Sequence, residues 1–397
     1  MKRIFAGPLW RWSSFQKVKL SWIAVAPVLA LGTLGLSPML LTAQEANKVT
    51  STSRTGTEAA DTFAYWTPER KAAAVPMDVG RPNTGVHTLA APTALGTPSV
   101  AGGYSASTGR VTAPEAVHPD SGSENPNATV LLDGGFPGPN ATYYYAPSYS
   151  QFPISAVGKL YGHDPRTGGD FQCSASVTVG DASHLNVIWT AGHCVANGGN
   201  SYFYSNFLFC PQLRGGSEPV GCWSWDGGAV VFSVWFANGD LTRDEGVILL
   251  NHTGTKYAKD VASVTGGLGL AWNWSRDQHW FHYGYPCVGV SGVTPNWNCV
   301  DIVATAAEHR YDVNPGGSGP EVNSWGSAQT EGASGSAVQL DLNFNYGGGY
   351  FINSNVSFYF NSGPNGNEHG KELQGPYYDT TVCSSLWKPY TGYTGGC

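Results

Sequence analysis

A chain of 397 residues with a formal net charge of −7 is long enough for two or three units, yet its composition points to one large fold. From residue 151 onward 10 Lys and Arg stand against 19 Asp and Glu, which excludes a nucleic-acid partner, since phosphates demand a basic face. The 52 glycines, 13% aromatic residues and 12% charged residues suit short strands joined by many turns, an all-β composition.

Residues 1–43 read as an export signal with a long basic leader. Lys2, Arg3, Arg11, Lys17 and Lys19 precede the apolar stretch from Trp22 to Leu36, and Leu41-Thr42-Ala43 offers a cleavage site. An uncleaved membrane anchor is the competing reading. The apolar stretch is 15 residues long and holds Pro27 and two glycines, short of the roughly 20 residues a spanning helix needs. No cysteine follows it to carry a lipid.

Residues 44–150 are rich in Ala, Thr, Ser, Pro and Gly, with few long apolar side chains and no period of 2 or 3.6. Two readings stay open: a disordered linker or stalk, and a propeptide removed on maturation. Tyr143-Tyr144-Tyr145, with Phe136 nearby, predicts that the end of this stretch packs on the folded part.

From residue 151 to 397 the pattern is that of a folded domain of short strands. Strands are expected over Ile154 to Leu160, Gln172 to Val179, Asn186 to Thr190, Ala229 to Phe236, Gly246 to Leu250, Ala337 to Leu342 and Tyr350 to Tyr359. Cys173, Ala175, Val177 and Val179 alternate onto one face. Asp379 is placed to N-cap a short helix from Thr380 to Trp387, with Pro389 closing it. Asn127, Asn140, Asn251, Asn273 and Asn355 open N-x-S/T triplets, which matter only in a host that glycosylates.

All eight cysteines lie between Cys173 and Cys397. An even count behind an export signal reads as four disulfides in an oxidising compartment. Eight cysteines allow about 105 connectivities. The expected set joins sequence neighbours: Cys173–Cys194, Cys210–Cys222, Cys287–Cys299 and Cys383–Cys397. No C-x-x-C pair favours a metal site, and none is expected.

Three local contexts carry the chemistry. His193 stands in Thr190-Ala191-Gly192-His193-Cys194 after the apolar run Val187-Ile188-Trp189; Asp244 opens the run to Leu250; Ser334 sits in Gly332-Ala333-Ser334-Gly335-Ser336. A hydroxyl becomes a useful nucleophile when a neutral imidazole can take its proton, and a carboxylate on the other ring nitrogen fixes the tautomer. His193 suits the base, Asp244 the orienting acid and Ser334 the nucleophile. The N–H groups of Gly332 and Ser334 suit an oxyanion hole. Glu245 is a rival acid, because it adjoins Asp244 and only one of the two can point inward, and Ser336 is a weaker rival nucleophile.

The order His, Asp, Ser, 51 and 90 residues apart, resembles the chymotrypsin-like (trypsin-like) serine peptidases. The resemblance covers roughly residues 154–390. Ala156-Val157-Gly158-Lys159-Leu160, Cys173-Ser174-Ala175-Ser176, Gly284-Tyr285-Pro286 and Asn353-Ser354-Asn355 lean toward the bacterial, glutamyl-endopeptidase-like branch. It implies two six-stranded antiparallel β-barrels, which with the short C-terminal helix follow an N-terminal region that its own composition marks as disordered. It also implies that the base of the primary pocket is Ala328 and its wall lies near Ser354. Ala328 supplies no carboxylate, so cleavage after Arg or Lys is not expected. Asn353 stands where glutamyl-specific relatives often have a pocket histidine. Ala333 stands where animal relatives carry an acid that pairs with a new N-terminus, so any propeptide must inhibit by another means.

The expected function is a secreted, extracellular and monomeric serine endopeptidase acting on protein or peptide substrates. It needs no cofactor and has no nucleic-acid partner or stable membrane insertion. The alternative is a catalytically idle protease-like module whose 14 Trp and 20 Tyr bind polysaccharide or a surface partner. An α/β-hydrolase fails on order, since that fold places its histidine after the serine.

Overall fold

The computed structural model describes residues 47–53, 56–83, 103–104, 141–146, 148–276, 279–340, 350–363 and 366–397. The expected export signal, Phe136 and the sequons at Asn127 and Asn140 lie outside these residues.

Six antiparallel strands form a closed barrel: β1 (Val157–His163), β2 (Asp170–Val177), β3 (Val187–Thr190), β4 (Ser205–Pro211), β5 (Trp223–Phe232) and β6 (Gly246–Leu250). The path runs β5-β4-β1-β2-β3-β6, and the β5–β6 ladder, from Val231 opposite Gly246 to Trp225 opposite Leu250, closes it. The alternation in β2 has a physical use on both faces. Cys173, Ala175 and Val177 are buried in the barrel core, while the equally buried Ser174 turns its hydroxyl to Gly332 O, 2.8 Å away. The strand expected to run on to Phe236 ends at Phe232, where a helix Ser233–Asn238 begins. It places Trp235 so that its indole N–H donates to Ala196 O.

A second sheet is built from β7 (Gly269–Trp272), β8 (His279–Gly284), β9 (Val303–Val313), β10 (Val322–Gly326), β11 (Ala337–Leu340), β12 (Phe351–Asn355) and β14 (Glu372–Gly375), while β13 (Tyr359–Ser362) pairs apart from it with Gly80–Pro82. Its order is β14-β10-β9-β8-β11-β12-β7, with β13 outside this path. Among the described residues no ladder joins the end strands β14 and β7; β14 instead meets Phe358, between β12 and β13, at a single antiparallel bridge. The second body is therefore described as a sheet, not a second closed barrel.

The expected C-terminal helix is present. Asp379 accepts from the N–H groups of Thr381 and Val382, but the helix passes Pro389 and ends at Thr391 before the left-handed Gly392. A wide turn over Cys383–Trp387, in which Lys388 N–H reaches back to Cys383 O, takes up the strain that proline would otherwise cause. The eight cysteines stand as Cys173–Cys194, Cys210–Cys222, Cys287–Cys299 and Cys383–Cys397 at bonding distance.

Parts of 44–150 lie on this framework. Val49–Thr52 pairs antiparallel with Ala229–Phe232 of β5, and Ala141–Tyr145 pairs antiparallel with Val303–Ala307 of β9. Helices Gly56–Tyr65 and Pro68–Ala73 lead into an extended run that ends at Asn83. Among the described residues no helix is long and apolar enough to cross a membrane.

Candidate active site

His193 lies on a single turn, Gly192–Cys194, directly after β3, and Asp244 stands just before β6, the strand paired with β3. The pairing brings the two together. Asp244 is wholly buried and accepts twice from His193, from its backbone N–H at 2.7 Å and from Nδ1 at 2.8 Å. Ser357 Oγ donates to the same carboxylate at 2.5 Å, and Asn355 Nδ2 donates to Asp244 O at 3.1 Å. These donors hold the buried carboxylate in one orientation. Gly192 is required here, because a Cβ would stand 2.9 Å from Asp244 Oδ1. His193 Nε2 is buried and has no hydrogen-bond partner.

Ser334 occupies the loop between β10 and β11, flanked by Gly332 at φ +91° and Gly335 at φ +82°. Both turns are closed to other residues. A Cβ on Gly335 would meet Thr190 Oγ1 at 2.0 Å and Ser174 O at 2.4 Å, and one on Gly332 would meet Cys287 Sγ at 2.5 Å. Ser174 N–H donates to Ser334 O at 2.8 Å. The serine loop is thus wedged against the strand that leads to His193. No hydrogen bond joins Ser334 Oγ to His193 Nε2; the hydroxyl points to Met77 O, 3.4 Å away. Gly332 N–H donates to the same carbonyl at 3.1 Å.

Neither rival group joins His193. Ser336 Oγ donates to Ala333 O at 2.6 Å. Both Glu245 carboxyl oxygens are buried without a hydrogen-bond partner. Burial raises its pKa well above the ordinary carboxylate range, against the pull of Arg243. Arg243 itself forms a fork with Asp379.

The two pocket residues expected from the sequence take different places. Ala328 is buried beneath Trp297, whose indole N–H donates to Ala328 O. Ser354 is buried in β12 with its hydroxyl on Pro376 O. The serine that touches the Asp244 carboxylate is Ser357, three residues on. The run Asn353-Ser354-Asn355-Val356-Ser357 offers both hydroxyls, and only the strand end at Asn355 tells them apart. Asn353, aligned with the pocket histidine, instead donates to Ala271 O from within β12. At the rim His369 Nε2 meets Glu331 Oε2 at 2.9 Å and its ring stacks on Tyr359. Asp78 joins this pair within one cluster of ligand-type atoms. Sequence reading missed Ser357, Tyr359, His369 and the segment that carries Met77.

No protein-family model matches the sequence, and no curated protein matches it. Among solved structures the chain is similar to the protease Anisep from Arthrobacter nicotinovorans, with 22% identity and a TM-score of 0.50, over 62% of this chain and 99% of that one. It is similar also to a thermostable serine protease, AL20, from an extremophilic microorganism, with 24% identity and a TM-score of 0.48, over 60% and 98%. A Glu endopeptidase in complex with MPD follows at 15% and 0.46, over 64% and 99%. The likeness to Anisep is one of fold, and it agrees with the fold that the resemblance to chymotrypsin-like serine peptidases led to expect.

Proposed function

We propose that this chain is a secreted serine endopeptidase, made as a precursor, that hydrolyses protein or peptide substrates through Ser334, His193 and Asp244. The observation that carries the reading is the doubly hydrogen-bonded His193–Asp244 pair. It leaves a buried, unpartnered Nε2 beside a serine loop whose Gly332 N–H already holds a peptide carbonyl. In this mechanism Ser334 Oγ attacks the scissile carbonyl carbon while its proton passes to His193 Nε2. The oxyanion accepts from the N–H groups of Gly332 and Ser334. Collapse breaks the C–N bond, His193 returns the proton to the leaving amine, and an acyl-enzyme remains. Water repeats the sequence, releasing the carboxylic acid and free Ser334. Asp244 holds the imidazole tautomer throughout, and no cofactor takes part.

Matured protein is expected to hydrolyse casein and to be labelled on Ser334 by a fluorophosphonate, with Ser334→Ala lowering turnover by about 10⁴ or more. Matured wild-type protein that neither labels nor cuts mixed peptides would favour the idle binding module instead.

A further inference from the structure

The run from Tyr65 to Asn83 crosses the candidate site, and its contacts divide into anchors and a plug. The anchors lie on the barrel side. Trp66 is buried against Tyr161, with its indole N–H on Asn206 O at 2.6 Å. Tyr65 Oη donates to Asp170 Oδ1 at 2.6 Å, and Arg70 Nε meets Asp170 Oδ2 at 2.9 Å. Gln172 Nε2 donates to Ala74 O at 2.8 Å. Val75–Pro76 then pairs parallel with Phe171–Gln172, and Met77 N–H donates to Gln172 O at 2.9 Å.

The plug follows at once. Met77 O takes the Gly332 N–H and lies 3.4 Å from Ser334 Oγ. Tyr359 N–H donates to Val79 O at 3.2 Å, Gly80–Pro82 pairs parallel with β13, and Asn83 N–H donates to Ser362 O at 2.7 Å. A carbonyl in the donor meant for the oxyanion, held by backbone pairing on both sides, leaves no room for a second peptide. We infer that residues 65–83 form a built-in competitive inhibitor that occupies the cleft in cis, with Met77 O seated in the oxyanion hole. This rests on the catalytic reading of Ser334 and His193. It identifies the backbone of Gln172, Gly332 and Tyr359 as groups that a substrate takes over once the segment leaves.

The test uses the full chain and the rate at which a fluorophosphonate labels Ser334. Trp66→Ala combined with Arg70→Ala removes two anchors remote from Ser334, and Met77→Pro removes the N–H given to Gln172 O. Each variant is expected to label at least tenfold faster than the wild-type chain, and a synthetic peptide of residues 64–83 added in excess should slow it again. Near-UV circular dichroism checks that the domain stays folded. Folded variants that label at the wild-type rate would overturn the inhibitor while leaving the catalytic reading intact. Absence of labelling in every form, including matured protein, would overturn the catalytic reading and the inhibitor with it. Mass analysis showing the purified wild-type chain cut between Met77 and Asp78 would make the segment a substrate and so overturn the inhibitor as well.

Discussion

Two neighbouring carboxyls, Asp244 and Glu245, are both buried, and their fates differ because successive side chains leave the backbone on opposite sides. Asp244 gathers His193 and Ser357; Glu245 gathers no donor. Asp244→Asn is therefore expected to lower kcat by about 10⁴ in matured protein, since its one amide oxygen cannot serve both sides of the site and an NH2 turned to Nδ1 holds the wrong imidazole tautomer. Glu245→Gln should leave kcat within about twofold, as measured by casein hydrolysis. The same variant reports on stability. The folded pKa of Glu245 is raised, so its contribution is complete below the unfolded carboxyl range and is lost as pH rises through the folded value. Glutamine, neutral throughout, should flatten the decline of Tm toward alkaline pH. Swapping the roles, with Glu245→Gln inactive and Asp244→Asn active, would place the orienting acid at 245.

At the scale of elements, the staple Cys173–Cys194 fixes the His193 turn within the barrel, and the loop around Ser334, from the second sheet, packs against it. Gly335 shows how tightly. Its positive φ and the missing Cβ let the loop touch Thr190 and Ser174. Gly335→Ala is expected to shift Ser334 and cut kcat/KM by at least 100-fold, with KM for peptides changing less than kcat; activity near wild type would mean the loop has slack. Much of this was readable from sequence because each signal is local: the alternation in Cys173 to Val179, the turn at Gly192, the glycines around Ser334. The hydroxyl on Asp244 was not, because Ser354 and Ser357 stand three residues apart and nothing local marks which of them meets the carboxylate. Residues 65–83 were opaque for a different reason. Their order comes from Trp66, Arg70 and backbone pairing onto the barrel, not from any period of their own.

For the whole molecule, the cleft carries a charge cluster that bears on how firmly the segment sits. Asp78 faces Glu331, His369, Tyr359 and His193. Desolvation in the cleft, with Glu331 adding to it, pushes its carboxyl up to about 6, although one flank stays exposed. Burial pulls His369 down, but the Glu331 hydrogen bond and charge outweigh it and leave the imidazole raised. A group whose docked pKa is raised holds the docked state best at acid pH and loses that hold as pH passes the raised value. The segment should thus sit more firmly at pH 5 than at pH 8. Asp78→Asn mimics the protonated acid, so the full chain carrying it should label more slowly than wild type, by a clearly larger factor at pH 8 than at pH 5. Equal rates at both pH values would remove Asp78 from the control.

The segment that crosses the cleft and the strand Ala141–Tyr145 stitched onto β9 belong to one covalent thread. A nick between residues 83 and 141 would turn an intramolecular ligand into a separate molecule. Its effective concentration, on the order of millimolar for a tethered chain, would fall to whatever the surroundings supply. Dilution would then do what the cut alone does not, loosening a hold that the intact chain keeps at any concentration.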